Sequence, residues 1–501
     1  MPGPAANAPK RAAHARRELL LALALAVVLI LARSAVFIVY EQAFFDSDQA
    51  IVGLMAKHLI EGRAFPLFYY GQIYMLGVDS WIAAPVFALL GPTVPALHFA
   101  IALANIVAAF LLIVGFTRSD HLRPWLAIVA SSFFLFAPPF TSKSLIEAGA
   151  NIGPFIYIAA MWLLRDRPLW FGLVLGLGFV NREFTIYAVP ALLVIQLCQG
   201  TLFHTDRLRT WLLAAVATAA TWQVIQALKP YADMMGPGSR GQQLGAGDGG
   251  EQLANIGDRV GFSWSDLPAR AHAIFFETLP RLYGTVFVNE PVAAQGYHWM
   301  FWPFLVVMFL VITRALVVGR RERTLGRATF GFYLLLVGLA AATVPILTRP
   351  VDGVADRYVL LGLFVPIGVV GVHLALEPRR ALRWGLIAFV MLWMALSGVD
   401  HLAHAERYVG GHEPNPKRHL VDALLARGIT VAQSNYWRAY AIAFISGERV
   451  KVASTDVIRI SEYQDLANAV GPSLVTIQET PCGPGEHAEH IDIWYLCQTA
   501  R

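Results

Sequence analysis

Residues 19–48, LLLALALAVVLILARSAVFIVYEQAFFDSD, run from an almost unbroken apolar stretch into two acids. Leu19 to Tyr40 is 22 residues, enough to cross a bilayer core of about 30 Å at about 1.5 Å rise per residue. Asp46 and Asp48 follow where the chain would leave hydrocarbon for a wet interface, where a carboxylate costs little. Acids placed there, leading into an amphipathic stretch, point to chemistry at the lipid–water boundary. Arg33 is the anomaly of the run, because a cation inside a span costs about 2.5–3.5 kcal/mol on insertion scales. It is expected to face protein or an aqueous cleft, either in a structural ion pair or within reach of a lipid phosphate. A cleaved signal peptide is the competing reading of this N-terminus, and it leaves both acids outside as well.

Composition places the whole chain in the same class. Of 501 residues, 56% are hydrophobic and 15% charged, against about 25% charged in an ordinary soluble domain. Mean hydropathy is +0.54. Apolar runs recur near 19–40, 74–91, 94–116, 124–139, 150–164, 168–181, 184–199, 210–228, 299–318, 328–347, 357–376 and 384–400. The fold class expected is a polytopic α-helical membrane protein with about twelve transmembrane helices.

Basic residues give the orientation. Under that alternation Lys10, Arg11, Arg16, Arg17, the loops at Arg118, Arg165, Arg207 and Arg320–Arg327, and Arg379–Arg383 all fall on one side, which is therefore cytoplasmic. Asp46, Asp48 and the tail beyond about residue 400 then face outward. The net charge of +5 reflects this loop bias and needs no nucleic-acid partner.

Three outward segments are long enough to build something. In the first, 41–73, Ile51, Leu54, Met55 and Leu59 have helical spacing. That helix is expected to begin at Asp48, end by Gly62 and lie along the membrane surface. The second, 229–298, opens with the Gly- and Gln-rich stretch 236–250 and then shows amphipathic patterning around Phe275, Phe276, Leu279 and Leu282. The third, 404–501, has soluble composition, with a helix at Leu420, Leu424 and Leu425 and short strands at 429–433, 449–453, 473–477 and 491–496. Two domains follow, a membrane domain over 1–403 and a small extracytoplasmic α/β domain over 404–501. Of three cysteines, Cys198 reads as a packing residue, whereas Cys482 and Cys497 share the outward tail as a disulfide or as separate thiols. No CxxC or HxxxH spacing suggests a metal site.

In an extended turn, residues two apart project to one side, so Asp46 and Asp48 can converge on one pocket. Neighbouring carboxylates raise one another's proton affinity, which suits a base. The plain alternative is that one of them N-caps the following helix, and both roles can coexist.

Asp48-Gln49-Ala50, then Met55-Ala56-Lys57-His58 and Gly62, resembles the first outer loop of GT-C glycosyltransferases. These membrane enzymes include dolichyl-phosphate-mannose protein mannosyltransferases and bacterial lipid A aminoarabinose transferases. Tyr70-Gly71-Gln72-Ile73-Tyr74, Gly77-Val78-Asp79-Ser80, Arg357-Tyr358, Tyr436-Trp437-Arg438-Ala439-Tyr440 and Ser446-Gly447-Glu448-Arg449 are similar to later elements of the bacterial members. The resemblance implies a GT-C type fold and an inverting glycosyltransferase of the plasma (inner) membrane. Such an enzyme moves a sugar from a polyprenyl-phosphate donor to an acceptor hydroxyl on lipid, glycan or protein.

On that resemblance Asp48 is the catalytic base. Gln49 stands where an acid often follows in the family, so Asp46 is the candidate second carboxylate. Arg357 and Arg182 are the candidate donor-phosphate ligands, because a guanidinium fork suits phosphate and each sits beside an acid, Asp356 or Glu183. Asp79, Tyr358 and Glu147 are supporting candidates, with Lys143 and His298 behind them. No metal ligand is assigned and no cofactor is implied with certainty; a divalent cation stays open, since some members of the fold use one and others do not. A non-catalytic transporter or lipid flippase is the alternative, but such folds place ionisable groups at mid-membrane and carry repeat symmetry, neither of which is evident here.

Overall fold

Helices occupy each of the twelve apolar stretches, but only some are long enough to span. The computed structural model describes residues 8–40, 44–240, 264, 266–284, 300–348, 356–411 and 415–499. Six described helices can cross a membrane by length and composition, and a seventh crossing arises if one bent pair counts as a span. The long ones include α1 (Ala8–Val39), α4 (Val94–Ser119) and α10 (Thr205–Leu228). The bent pair is α5 (Pro124–Leu135) and α6 (Pro139–Ile146), which turn through 85°. Pro138 and Pro139 explain the break, since an imide nitrogen cannot continue the ladder. α3 (Val78–Leu90), α7 (Gly153–Leu164), α8 (Pro168–Asn181), Glu183–Cys198, which ends in α9 (Ala188–Cys198), and Leu360–Leu376 are apolar but short, at 10–17 residues. Thirteen residues rise only about 20 Å, so twelve apolar stretches do not amount to twelve full-length spans.

The tail carries a five-stranded sheet in the order β2-β1-β3-β5-β4. β1 (Val431–Ser434) runs parallel to β2 (Lys451–Ser454) and β3 (Val475–Gln478). β5 (Trp494–Thr499) runs antiparallel to β3 and to β4 (Glu486–Ile491). Four strands fall about where β-branched residues place them, shifted two or three residues onward. β4 was not expected, because its sequence EHAEHI is polar on both faces. Cys482 and Cys497 are joined in a disulfide across the β3–β5 end of the sheet, with Cα atoms 5.5 Å apart.

α2 (Ser47–Ile60) does not lie on a membrane surface as its one-sided apolar spacing predicts. Asp46 caps it, accepting a hydrogen bond from the Gln49 amide at 3.1 Å, and Gly62 ends it in the left-handed region at φ 66°. Between those ends α2 is enclosed. The helix Tyr436–Ile445 of the tail packs along it so closely that a Cβ on Gly53 would come within 2.6 Å of the Phe444 ring. Its polar residues are covered because each has a partner in the fold. Gln49 meets His98 at 2.9 Å, while Lys57 and His58 reach the buried carboxylate of Glu448 at 2.5 and 3.0 Å.

Glu448 pins the tail to the bundle. Arg63 and Tyr463 also donate to it, at 2.9 and 2.8 Å. Burial alone would raise this carboxyl, but His58, Lys57 and Tyr463 outweigh burial and hold it well below the usual carboxylate range. A carboxyl depressed in the folded state contributes stability above its unfolded pKa of about 4.3, and that contribution is lost as pH falls. Tail docking is therefore expected to weaken on acidification. Glu448→Ala, which strips the buried His58 of its carboxylate and leaves Lys57 only Glu61, should cost about 3–5 kcal/mol. Protease cutting of the tail, measured against pH in both forms, checks this; equal susceptibility at pH 7 would refute it.

Other expectations are corrected. Arg33 is fully buried and makes no ion pair among the described residues; it donates to Asn105 Oδ1 at 2.7 Å and lies over the Phe134 ring. Of the alternatives expected for it, Arg33 faces protein, without the ion pair. Cys198 is exposed rather than packed, since it ends α9 on an outer face. Residues 241–263 and 285–299 lie outside the described residues, and with them most of the Gly-rich stretch and His298. The amphipathic part that follows is helical over Leu267–His272 and Leu279–Tyr283, joined by a π-helical turn.

Candidate active site

One cavity of about 620 Å³ opens where the tail meets the end of the bundle. Asp46, Asp48, Glu147, Arg182, Arg357 and Tyr358 all line it. Its apolar wall is aromatic, with Phe179, Phe184 and Tyr187 on one side and Trp437 from the tail on the other. Asp79 and Lys143 are absent from the lining, and His298 lies outside the described residues.

Asp48 sits in the first turn of α2, two residues past the cap, Asp46. This division answers the capping question, because Asp46 takes the backbone amide and leaves Asp48 directed at the cavity. Asp48 Oδ1 accepts from the Tyr436 hydroxyl at 2.5 Å. Tyr69 donates to the Asp48 backbone oxygen at 2.9 Å and lies 3.2 Å from the Tyr436 hydroxyl. Asp48 Oδ2 lies 3.5 Å from Arg357 Nη1. The base and phosphate candidates, 309 positions apart in sequence by number, are thus brought into contact. The side chain of Asp356, the acid expected beside Arg357, lies outside the described residues.

Burial pushes up the Asp46 carboxyl, and the Asp48 charge adds to that, against the Gln49 amide. Glu147, which follows α6, is pushed up to about 7 by burial, opposed by Lys143 at 3.6 Å and reinforced by Asp46. Lys143 also lies over the Phe44 ring at 4.6 Å.

Arg182 ends α8 and donates to the Gly149 carbonyl at 2.5 Å; it makes no ion pair with Glu183 among the described residues. Asp79 holds the same segment from behind. Its carboxylate accepts from the Gly149 and Ala150 amides at 2.9 and 2.7 Å. Ala150 has φ 64°, a left-handed conformation an alanine adopts only when its surroundings impose it. Asp79 is therefore a brace for the cavity wall that Gly149 forms.

Two cavity residues escaped the sequence reading. Tyr436 was quoted only within the Tyr436–Tyr440 stretch that carries the family resemblance, with nothing to show that it reaches Asp48. Arg459 carried no signal at all. Its guanidinium lies 5.5 Å from the Tyr69 ring centre and 5.4 Å from that of Tyr436, and it donates to the Gly71 carbonyl at 2.8 Å. Both depend on contacts across some 390 residues.

The lining carries the carboxylates of Asp46, Asp48, Glu147, Glu183 and Asp456, the group types that could take a divalent cation. Among the described residues, the one cluster with three ligand atoms within 4.8 Å is Cys482, Glu486 and Cys497, and its two sulfurs are joined to each other.

The fold is similar to that of ArnT from Cupriavidus metallidurans. Against the crystal structure of that protein bound to undecaprenyl phosphate, the TM-score is 0.53 at 11% identity, covering 96% of this chain and 97% of that one. Against its apo form the TM-score is 0.41 at 12% identity, covering 94% and 97%. No family model and no curated protein sequence matches the chain. At this identity the likeness concerns the fold alone.

Proposed function

We propose that a chain with this fold and this cavity is an inverting glycosyltransferase of the plasma (inner) membrane. Its donor is a sugar on a polyprenyl phosphate, and its acceptor is a hydroxyl on a lipid, glycan or protein outside the cytoplasm. The observation that carries the reading is the meeting of Asp48 and Arg357 at 3.5 Å within one cavity. The chain's basic-loop bias supports placing that cavity on the outer side, with the N-terminus cytoplasmic and the tail outside. A neighbour of the same fold that was crystallised with undecaprenyl phosphate supports the donor class.

In this mechanism Asp48 accepts the proton of the acceptor hydroxyl. The hydroxyl oxygen attacks the anomeric carbon, and the bond from that carbon to the phosphate oxygen breaks on the opposite face. The bonding electrons leave with the phosphate, whose charge Arg357 meets, with Arg182 further along the wall. Arg357 is thereby shared between the base and the leaving group. The lipid tail stays in the bilayer, which is why the enzyme is a membrane protein.

The test is to give purified protein in vesicles a polyprenyl-phosphate carrying a labelled sugar, together with extracted envelope lipids and glycans. Label should move to an acceptor and free polyprenyl phosphate should accumulate. Uptake of label into the vesicle lumen without any new glycoside would instead identify a transporter.

A further inference from the structure

We propose that Tyr436 is a positioning residue for Asp48, so that the soluble tail supplies part of the reacting centre. This rests on the reading of Asp48 as the proton acceptor, and it adds a residue and a whole structural region to that site.

A carboxylate on a short side chain can rotate and present either oxygen. Here Oδ1 is taken by the Tyr436 hydroxyl at 2.5 Å, which leaves Oδ2 toward Arg357 and the cavity. The Tyr436 proton is committed in that direction. Tyr69 donates its one proton to the Asp48 backbone oxygen at 2.9 Å, and its hydroxyl lies 3.2 Å from that of Tyr436 and 3.4 Å from Asp48 Oδ1. Arg459 lies against both phenol rings and is itself fixed by the Gly71 carbonyl.

The backbone beneath Tyr436 is equally constrained. Its amide donates to Asp456 at 2.7 Å. One turn later, the Tyr440 and Ala441 amides donate to Ser47 Oγ at 3.2 and 3.3 Å. Ser47 immediately precedes Asp48, so the turn that carries the base also anchors the helix that aims it. The charged and titratable groups facing Asp48 are thus Asp46 on its own turn, Tyr69, Arg357 and Tyr436, with Arg459 behind the phenols.

The distinguishing variant is Tyr436→Phe in the full-length protein, which keeps the ring and removes only the hydroxyl. Losing a hydrogen bond to the charged form of the base should lower kcat about tenfold and move the acid limb of the rate profile up by about one pH unit, with donor KM unchanged. A second measurement needs no sugar transfer. A carbodiimide attacks protonated carboxyls, so the pH midpoint for labelling Asp48, read by peptide mass spectrometry, should rise in the same variant.

Tyr463→Phe is the comparison, because it removes a tail hydroxyl that binds Glu448 and not Asp48. It should leave the labelling midpoint where it is. An unmoved midpoint in Tyr436→Phe, or an equal rise in Tyr463→Phe, overturns the positioning role. If Tyr436→Phe does not accumulate, Tyr69→Phe should raise the midpoint in the same direction by less, and no rise there is equally fatal. Retained transfer in Asp48→Asn would defeat the functional reading, whereas the labelling midpoint judges Tyr436 either way.

Discussion

Asp48→Asn is expected to reduce sugar transfer by roughly 10²- to 10⁴-fold, the usual contribution of a positioned general base. The amide is nearly the same shape and still offers an oxygen to the Tyr436 hydroxyl, so the cavity should keep its form. What it loses is the capacity to take a proton, along with the charge that faces Arg357. Folding should be little affected, because α2 is capped by Asp46 and clamped by the Glu448 cluster, neither of which involves the Asp48 side chain. Initial rates with labelled donor, set beside the thermal midpoint in detergent, separate the two effects. A rate within about twofold of the parent would remove Asp48 from the chemistry.

Arg357→Ala is the second large effect, roughly 10²- to 10³-fold in kcat, the scale seen when one fixed charge-stabilising donor is taken from a transition state. Arg357→Lys should recover part of this, since the charge returns without the two-pronged geometry that phosphate favours. Arg182 offers a contrast. Its guanidinium is held by the Gly149 carbonyl, so Arg182→Ala is expected to loosen the cavity wall and raise donor KM more than it lowers kcat. If Arg357→Ala kept full kcat while Arg182→Ala abolished turnover, the two assignments would have to be exchanged.

How much of this was legible in the sequence depends on the range of the interactions involved. Apolar runs marked where helices form, and β-branched residues marked four of the five strands to within a few residues, because both signals are local. Span length was harder to read. Hydropathy runs across Pro138 and Pro139 without registering that the backbone must turn there. α2 was misplaced for a related reason: a polar residue reads as solvent-facing until its partner is known, and the partner of Lys57 and His58 is Glu448, some 390 positions later. At the site, charged residues beside span ends stood out, and Asp48 and Arg357 were among them. Asp79 also stood out, but its role as a brace depends on the backbone of Gly149 and Ala150, which no side-chain pattern reveals. Tyr436 and Arg459 were invisible because they act only through residues brought near by folding.

The clamp on α2 also has a consequence for biogenesis. The ribosome makes the helix carrying Asp48 among the first tenth or so of the chain, whereas Tyr436, Glu448 and Tyr463 emerge near the close of translation. Until then His58 lacks its carboxylate partner, Lys57 has only Glu61, and Gly53 has no ring against it. A polypeptide interrupted before residue 436 could insert its apolar segments and still be inert. The cavity therefore closes late and all at once, when the last fifth of the chain meets the first.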